Sequence, residues 1–153
     1  MREKTLRKAL SALALTGASV LLLAACGSSG SDTTATITKA AFLKQGNAIC
    51  ANGNKEIDQA SKNLGQNGEQ PSQAQLEKFV NETVLPSVEK QVAALEALPV
   101  PSGDEDQVQA ILDAANQGID QGKQDPTSLT GNSDPFAKAS QLANEYGLTE
   151  CGG

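Results

Sequence analysis

Histidine and tryptophan are missing from the 153 residues, and the aromatic side chains are three Phe and one Tyr. Without histidine the chain has no side chain that normally titrates near neutral pH, and it lacks the commonest metal ligand. Basic residues number 12 against 18 acidic, a formal charge of −6 that excludes a binder tracking nucleic-acid phosphates. The length suits one domain and is too short for the two-lobed folds that close around solutes. No segment sustains period-two alternation, so no sheet is predicted. Cysteine is scarce as well, with three copies, an odd count that sits badly with a secreted protein.

What is present begins with an address. Residues 1 to 8 carry Arg2, Lys4, Arg7 and Lys8 against Glu3, and an apolar run follows from Ala9 to Leu23. At about 15 residues that run is shorter than the roughly 20 needed to span hydrocarbon, so it reads as a secretory signal. It ends in Leu23-Ala24-Ala25-Cys26, followed by the polar stretch Gly27-Ser28-Ser29-Gly30-Ser31.

This box resembles the lipobox of bacterial lipoproteins. The resemblance implies that a peptidase cuts before Cys26 and that the Cys26 thiol carries a diacylglycerol, with a further acyl group on its amine as an option. The alternative is an ordinary secretory signal that leaves Cys26 spare. A two-chain anchor holds without help from the protein surface, because each buried methylene contributes about 0.8 kcal/mol. The expected partners are therefore the membrane, through Cys26, and an envelope protein, with no nucleic acid. Residues 26–36 then read as the lipidated cysteine and a flexible tether, whose last ten residues reach about 16–19 Å. The expected organisation is residues 1–25 as signal peptide, 26–36 as anchor and tether, and 37–153 as a helical domain.

Cleavage would leave 8 Lys, no Arg and 17 acids, a net charge near −9. Leu, Ile, Val and Phe make up 24 of those residues, just under the fifth below which charged chains tend to be disordered. Periodicity has to decide, and it favours helices. Thr38 can cap a helix from Lys39 to about Leu64, with Leu43, Cys50, Ile57 and Leu64 at heptad spacing. Phe42 and Ile49 widen that stripe, and Gly46, Gly53 and Ala60 lie beside it. The two glycines cost about 1 kcal/mol each against alanine, tolerable where another helix packs closely. Ser72 and Gln75 form a capping box. Beyond it Leu76, Phe79, Val80, Val84, Val88, Val92, Leu95 and Leu98 share a face. Pro86 interrupts this segment, and the continuing apolar spacing favours one kinked helix over two short ones.

Ser102 and Glu105 suggest a second capping box, leading into Val108, Ile111, Leu112, Ala115 and Ile119. Residues 123–133 read as a loop, after which Asp134 caps a last helix with Pro135 at its first position. Phe136, Ala139, Leu142, Ala143 and Tyr146 share its face, and Gly147-Leu148 reads as a glycine stop. The fold class expected is all-α, a four-helix up-and-down bundle with its second helix kinked at Pro86.

With Cys26 assigned to lipid, Cys50 and Cys151 face an oxidising compartment, where pairing is the default. Two free buried thiols are the alternative. A second resemblance rests on Phe42, then Ile49-Cys50, with a closing Tyr146-Gly147-Leu148-x-x-Cys151. The pattern is similar to a group of small helical actinobacterial lipoproteins. That group carries no assigned activity, so the likeness implies architecture and source only.

Catalytic chemistry is thin. Ser87-Val88-Glu89-Lys90 matches the Ser-x-x-Lys of penicillin-binding enzymes, but the accompanying Ser-Asp-Asn and Lys-Thr-Gly elements are missing. Glu82, Glu89 and Glu96 recur every seven residues, as do Asp106, Asp113 and Asp120. Each set reads either as a patch for cations or a basic partner, or as an ordinary polar helix face. Gly118-x-x-x-Gly122 permits close helix contact. Phe42, Phe79, Phe136 and Tyr146 serve as core, or else line a small-ligand pocket. The expectation is a membrane-anchored, extracytoplasmic, non-catalytic interaction or structural module without cofactor or metal. A small-ligand carrier using the bundle interior is the alternative.

Overall fold

A computed structural model describes residues 37–64, 70–131 and 133–153, all within the unit Thr33–Gly153. Cys26 and the expected signal and tether lie outside the described residues. Helix α1 spans Lys39–Ser61, α2 Gln73–Phe79, α3 Leu85–Glu96, α4 Glu105–Gln124 and α5 Ala137–Tyr146. The described residues contain no strand, so this part of the chain is all-helical, as its periodicity predicts.

Thr38 caps α1 by accepting the N–H of Ala41. The buried face is Phe42, Gly46, Cys50 and Gly53. That line is rotated from the expected heptad, whose Leu43, Ile57 and Leu64 are only half-buried. The glycines explain the rotation, because α1 presents its side of least bulk to its neighbours. A Cβ on Gly53 would come within 2.2 Å of the Gln91 amide, and one on Gly46 within 2.5 Å of Leu148.

The Ser72–Gln75 capping box forms as expected, with both reciprocal hydrogen bonds. From there α2, a π turn over Val80–Val84 and α3 make one unbroken helical run. Pro86 has no N–H, and its ring would crowd the carbonyl four residues back, that of Glu82. The backbone answers by widening a turn, so that the N–H of Leu85 bonds the carbonyl of Val80. The widened turn seats Val80 and Leu85 in the core, at 2 % and 3 % exposure. Leu85 is a core position that the expected apolar face leaves out.

Two helix starts differ from expectation. Ser102 does not cap α4: Asp104 occupies the N-cap position and makes no side-chain cap bond. Its carboxylate instead accepts the Tyr146 hydroxyl at 2.8 Å and pairs with Lys39 at 3.6 Å. The expected box partner, Glu105, reaches back to the Gly103 N–H at 2.7 Å. Helix α5 starts two residues late, because Asp134 accepts the Phe136 N–H across a turn. The expected loop is also partly ordered. Helix α4 continues through Gln124, and Pro126–Leu129 forms a 3-10 turn.

Gly147 ends α5 at φ +111, a conformation glycine adopts without penalty. The N–H of Leu148 then bonds the carbonyl of Ala143 at 2.8 Å, closing a Schellman motif. This drives Leu148 inward to 1 % exposure against Gly46. Directly after it, Cys151 bonds Cys50 with their Cα atoms 5.0 Å apart. The disulfide expected from the cysteine arithmetic is present.

Helices α1 and α3 meet at Gly46–Leu95 and again at Gly53–Gln91. Helices α3 and α4 are tied by Asn116 donating to Glu96 and by Lys123 pairing with Glu89. Phe136 lies on Gly118, and Leu85 and Leu129 lie on Gly122, so the small-x-x-x-small spacing of α4 does serve close contact. The core gathers around Phe42, Cys50, Val92, Leu95, Ile111, Leu112 and Leu148.

Candidate functional site

The expected chemistry can be placed residue by residue. Ser87 is buried, and its hydroxyl donates to the Gly53 carbonyl at 3.4 Å. Lys90, one turn on, is exposed and pairs with Glu56 of α1 at 3.6 Å. The Ser-x-x-Lys spacing thus supplies a helix-packing hydroxyl and an inter-helix ion pair, and the serine's side-chain neighbour is Gln91, donating at 3.4 Å.

The acidic stripes are largely engaged with their own surroundings. Glu82 pairs with Lys78 at 3.9 Å, Glu89 with Lys123, and Glu96 accepts from Asn116 at 3.2 Å. Asp113 accepts from Gln109 at 2.7 Å. The Glu89 carboxylate, by hydrogen bond and then by charge, raises the Lys123 ammonium above its ordinary value. Among the described residues no group of three His, Cys, Asp or Glu side chains could hold a metal ion. No helix there is long and apolar enough to cross a membrane.

A cluster the motifs do not announce joins the start of α1, the start of α4 and the end of α5. Lys39 Nζ sits 4.0 Å from the centre of the Tyr146 ring while also pairing with Asp104. Phe42 meets Tyr146 edge to face, centroids 6.0 Å apart at 81°. Burial, and then the hydrogen bond to Asp104, push the Tyr146 phenol above its ordinary value of 10.0. A folded-state value above the unfolded one means that this stabilisation is fully present below about pH 10 and is lost as pH rises further. Tyr146→Phe is expected to cost about 1–2 kcal/mol near neutrality, for one hydrogen bond to a partly exposed carboxylate. It should also flatten the loss of stability above pH 10. Thermal melts of both proteins at pH 8 and above 10 check this; parallel alkaline losses would refute it.

Two spaces adjoin near the middle of α3. A partly open cavity of about 200 Å³ lies among α1, α3, α4 and α5, lined mainly by Val88, Val92, Leu95, Ile111, Leu112 and Phe136. The disulfide forms part of its wall. A surface groove of about 510 Å³ runs between α1 and α3, lined by Asn52, Lys55, Glu56, Ser87 and Lys90 among others. Gln91, buried at 8 % exposure, lines both. Of the four aromatic residues considered for a pocket, only Phe136 faces the cavity. Phe42 and Tyr146 pack against each other, and Phe79 lines a shallow hollow on α2. Sequence periodicity marks most of the cavity walls as core, but it gives Gln91 no role. The one local signal is a glutamine among apolar neighbours on a buried face.

Comparison with family models, with curated proteins and with solved structures returned no match for this chain.

Proposed function

We propose that this protein is a lipid-anchored domain on the outer face of the cell membrane, presenting a helical surface to an envelope partner and performing no catalysis. The observation that carries the reading is Leu23-Ala24-Ala25-Cys26 at the end of a basic, then apolar leader. The Cys50–Cys151 disulfide supports it, since such bonds persist in oxidising compartments. The placement of Ser87 and Lys90 supports the non-catalytic half, because the lysine is engaged by Glu56 instead of the serine.

The domain itself is best read as an up-and-down four-helix bundle. Contacts run Gly46–Leu95 and Gly53–Gln91 between the first and second helical runs, and Glu96–Asn116 and Glu89–Lys123 between the second and third. In each pair one number rises as the other falls, which supports antiparallel neighbours. The apolar cavity, at about 200 Å³, lies below the roughly 300 Å³ at which drug-sized ligand pockets begin. That weighs against a carrier of bulky cargo.

The test of the anchor is Cys26→Ala in the native host. The unaltered protein is expected to be labelled by radioactive fatty acid and cut before Cys26, with the variant unlabelled and still carrying its leader. An unaltered protein that takes up no fatty acid, or a variant labelled as strongly as the unaltered protein, overturns the anchor. Crosslinking in the intact envelope that yields no reproducible partner counts against the interaction role.

A further inference from the structure

We propose that the partly open apolar cavity and the α1–α3 groove form one binding site for a small, single-tailed amphiphile with an anionic head. The tail would lie in the cavity and the head in the groove, and Gln91 would be the side chain that yields between them.

The cavity sets the tail. Its walls are mostly aliphatic, with Phe136, the disulfide and the polar side chains of Asn54, Gln91 and Ser140 making up the rest. A dry apolar space of about 150 Å³ takes a benzene ring. The cavity's roughly 200 Å³ therefore takes a substituted ring, or an alkyl tail of similar bulk.

The groove sets the head. Lys55 and Lys90 line it against the single carboxylate of Glu56, a local cationic excess on a chain whose formal charge is −6. Asn52 and the Ser87 hydroxyl add neutral hydrogen-bonding groups. Between groove and cavity stands Gln91, held only by a 3.4 Å bond to Ser87, whose own bond to Gly53 is also 3.4 Å. Both lie at the long, weak end for hydrogen bonds, so a change of rotamer at Gln91 gives up little. Gly53 allows Gln91 to pack flat on α1, and that is the position it would leave.

The inference goes beyond the anchor and partner reading and does not depend on it. The experiment titrates residues 26–153 carrying Cys26→Ala, made without the apolar leader so that no detergent is needed, with octanoate, octanol and octyltrimethylammonium. Octanoate is expected to bind with a dissociation constant of about 1 mM, given its size. Saturable NMR shifts should appear both at cavity methyls (Val92, Leu95, Ile111, Leu112) and at groove amides around Lys55 and Ser87. Octyltrimethylammonium should bind at least about fivefold more weakly.

Ala115→Leu, which fills the cavity, should weaken octanoate about tenfold and remove the methyl shifts. Lys55→Glu, an exposed change that leaves the core intact, should weaken octanoate while octanol is unaffected. Shifts confined to the groove, no saturable binding by 20 times the expected constant (about 20 mM), or indifference to both substitutions would each overturn the proposal.

Discussion

Replacing Cys50 and Cys151 together with alanine is expected to lower the stability of the domain by about 4–5 kcal/mol. The bond spans 101 positions of sequence, so its loss frees a loop containing nearly all of the described helices. A domain of this size has roughly 5–15 kcal/mol in total, and this core is lean in Leu, Ile, Val and Phe. What remains to hold the tail is modest. Leu148 stays on Gly46, Asn47 donates to the Gly147 carbonyl at 3.1 Å, and Asn54 donates to that of Glu150 at 2.7 Å. Each such hydrogen bond contributes only about 0.5–1.5 kcal/mol.

Urea unfolding should show a lower midpoint, together with a steeper slope from a more expanded denatured chain. Cys50 is buried at 2 % exposure, so the alanine also removes a sulfur from the core. Reducing the unaltered protein separates the two contributions, since it opens the loop without changing volume. A loss under about 1 kcal/mol in both cases would show that the tail docks without its bond.

The elements legible in the sequence are those decided by neighbours in sequence. Ser72 and Gln75 satisfy each other three residues apart, and that box forms as read. Ser102 and Glu105 have the same spacing, but Asp104 between them is recruited by Tyr146, 42 positions away, and by Lys39. The cap is thereby reassigned by a tertiary bond that local spacing does not register. Heptads locate the apolar side of α1 but miss its centre. A heptad weighs side chains, whereas Gly46 and Gly53 are buried for lack of one.

Pro86 announces a disturbance. The widened turn answers the Pro86 ring locally, but the seat it gives Leu85 against Gly122 of α4 is a tertiary contact that local sequence does not announce. The cavity is less legible still. Its volume is a difference among side chains drawn from four helices, and no single stretch of chain carries that information. Gln91 belongs to the same class, because its position between cavity and groove depends on Gly53, 38 positions earlier.

Phe42→Ala is expected to cost about 3–5 kcal/mol, and the reason extends beyond one buried ring. Phe42 is 0 % exposed, one of the two largest side chains enclosed to that degree. It meets Tyr146 edge to face, a geometry that contributes about 0.5–1.5 kcal/mol beyond area. Tyr146 in turn carries Lys39 over its ring and Asp104 on its hydroxyl. Removing Phe42 therefore admits water to the ring whose burial is the first cause of its raised titration. The phenol should fall back toward its ordinary value of 10.0, and the alkaline loss of stability should move with it.

The chain holds one tyrosine and no tryptophan, so ultraviolet titration reads this group alone. Phe42→Leu separates volume from ring contact: it should recover most of the stability and only part of the raised titration. Combining Phe42→Ala with Tyr146→Phe should cost less than the sum of the two single changes, because both act on the same contact. Strict additivity, or an unmoved titration in Phe42→Ala, would mean that Tyr146 is held independently of Phe42.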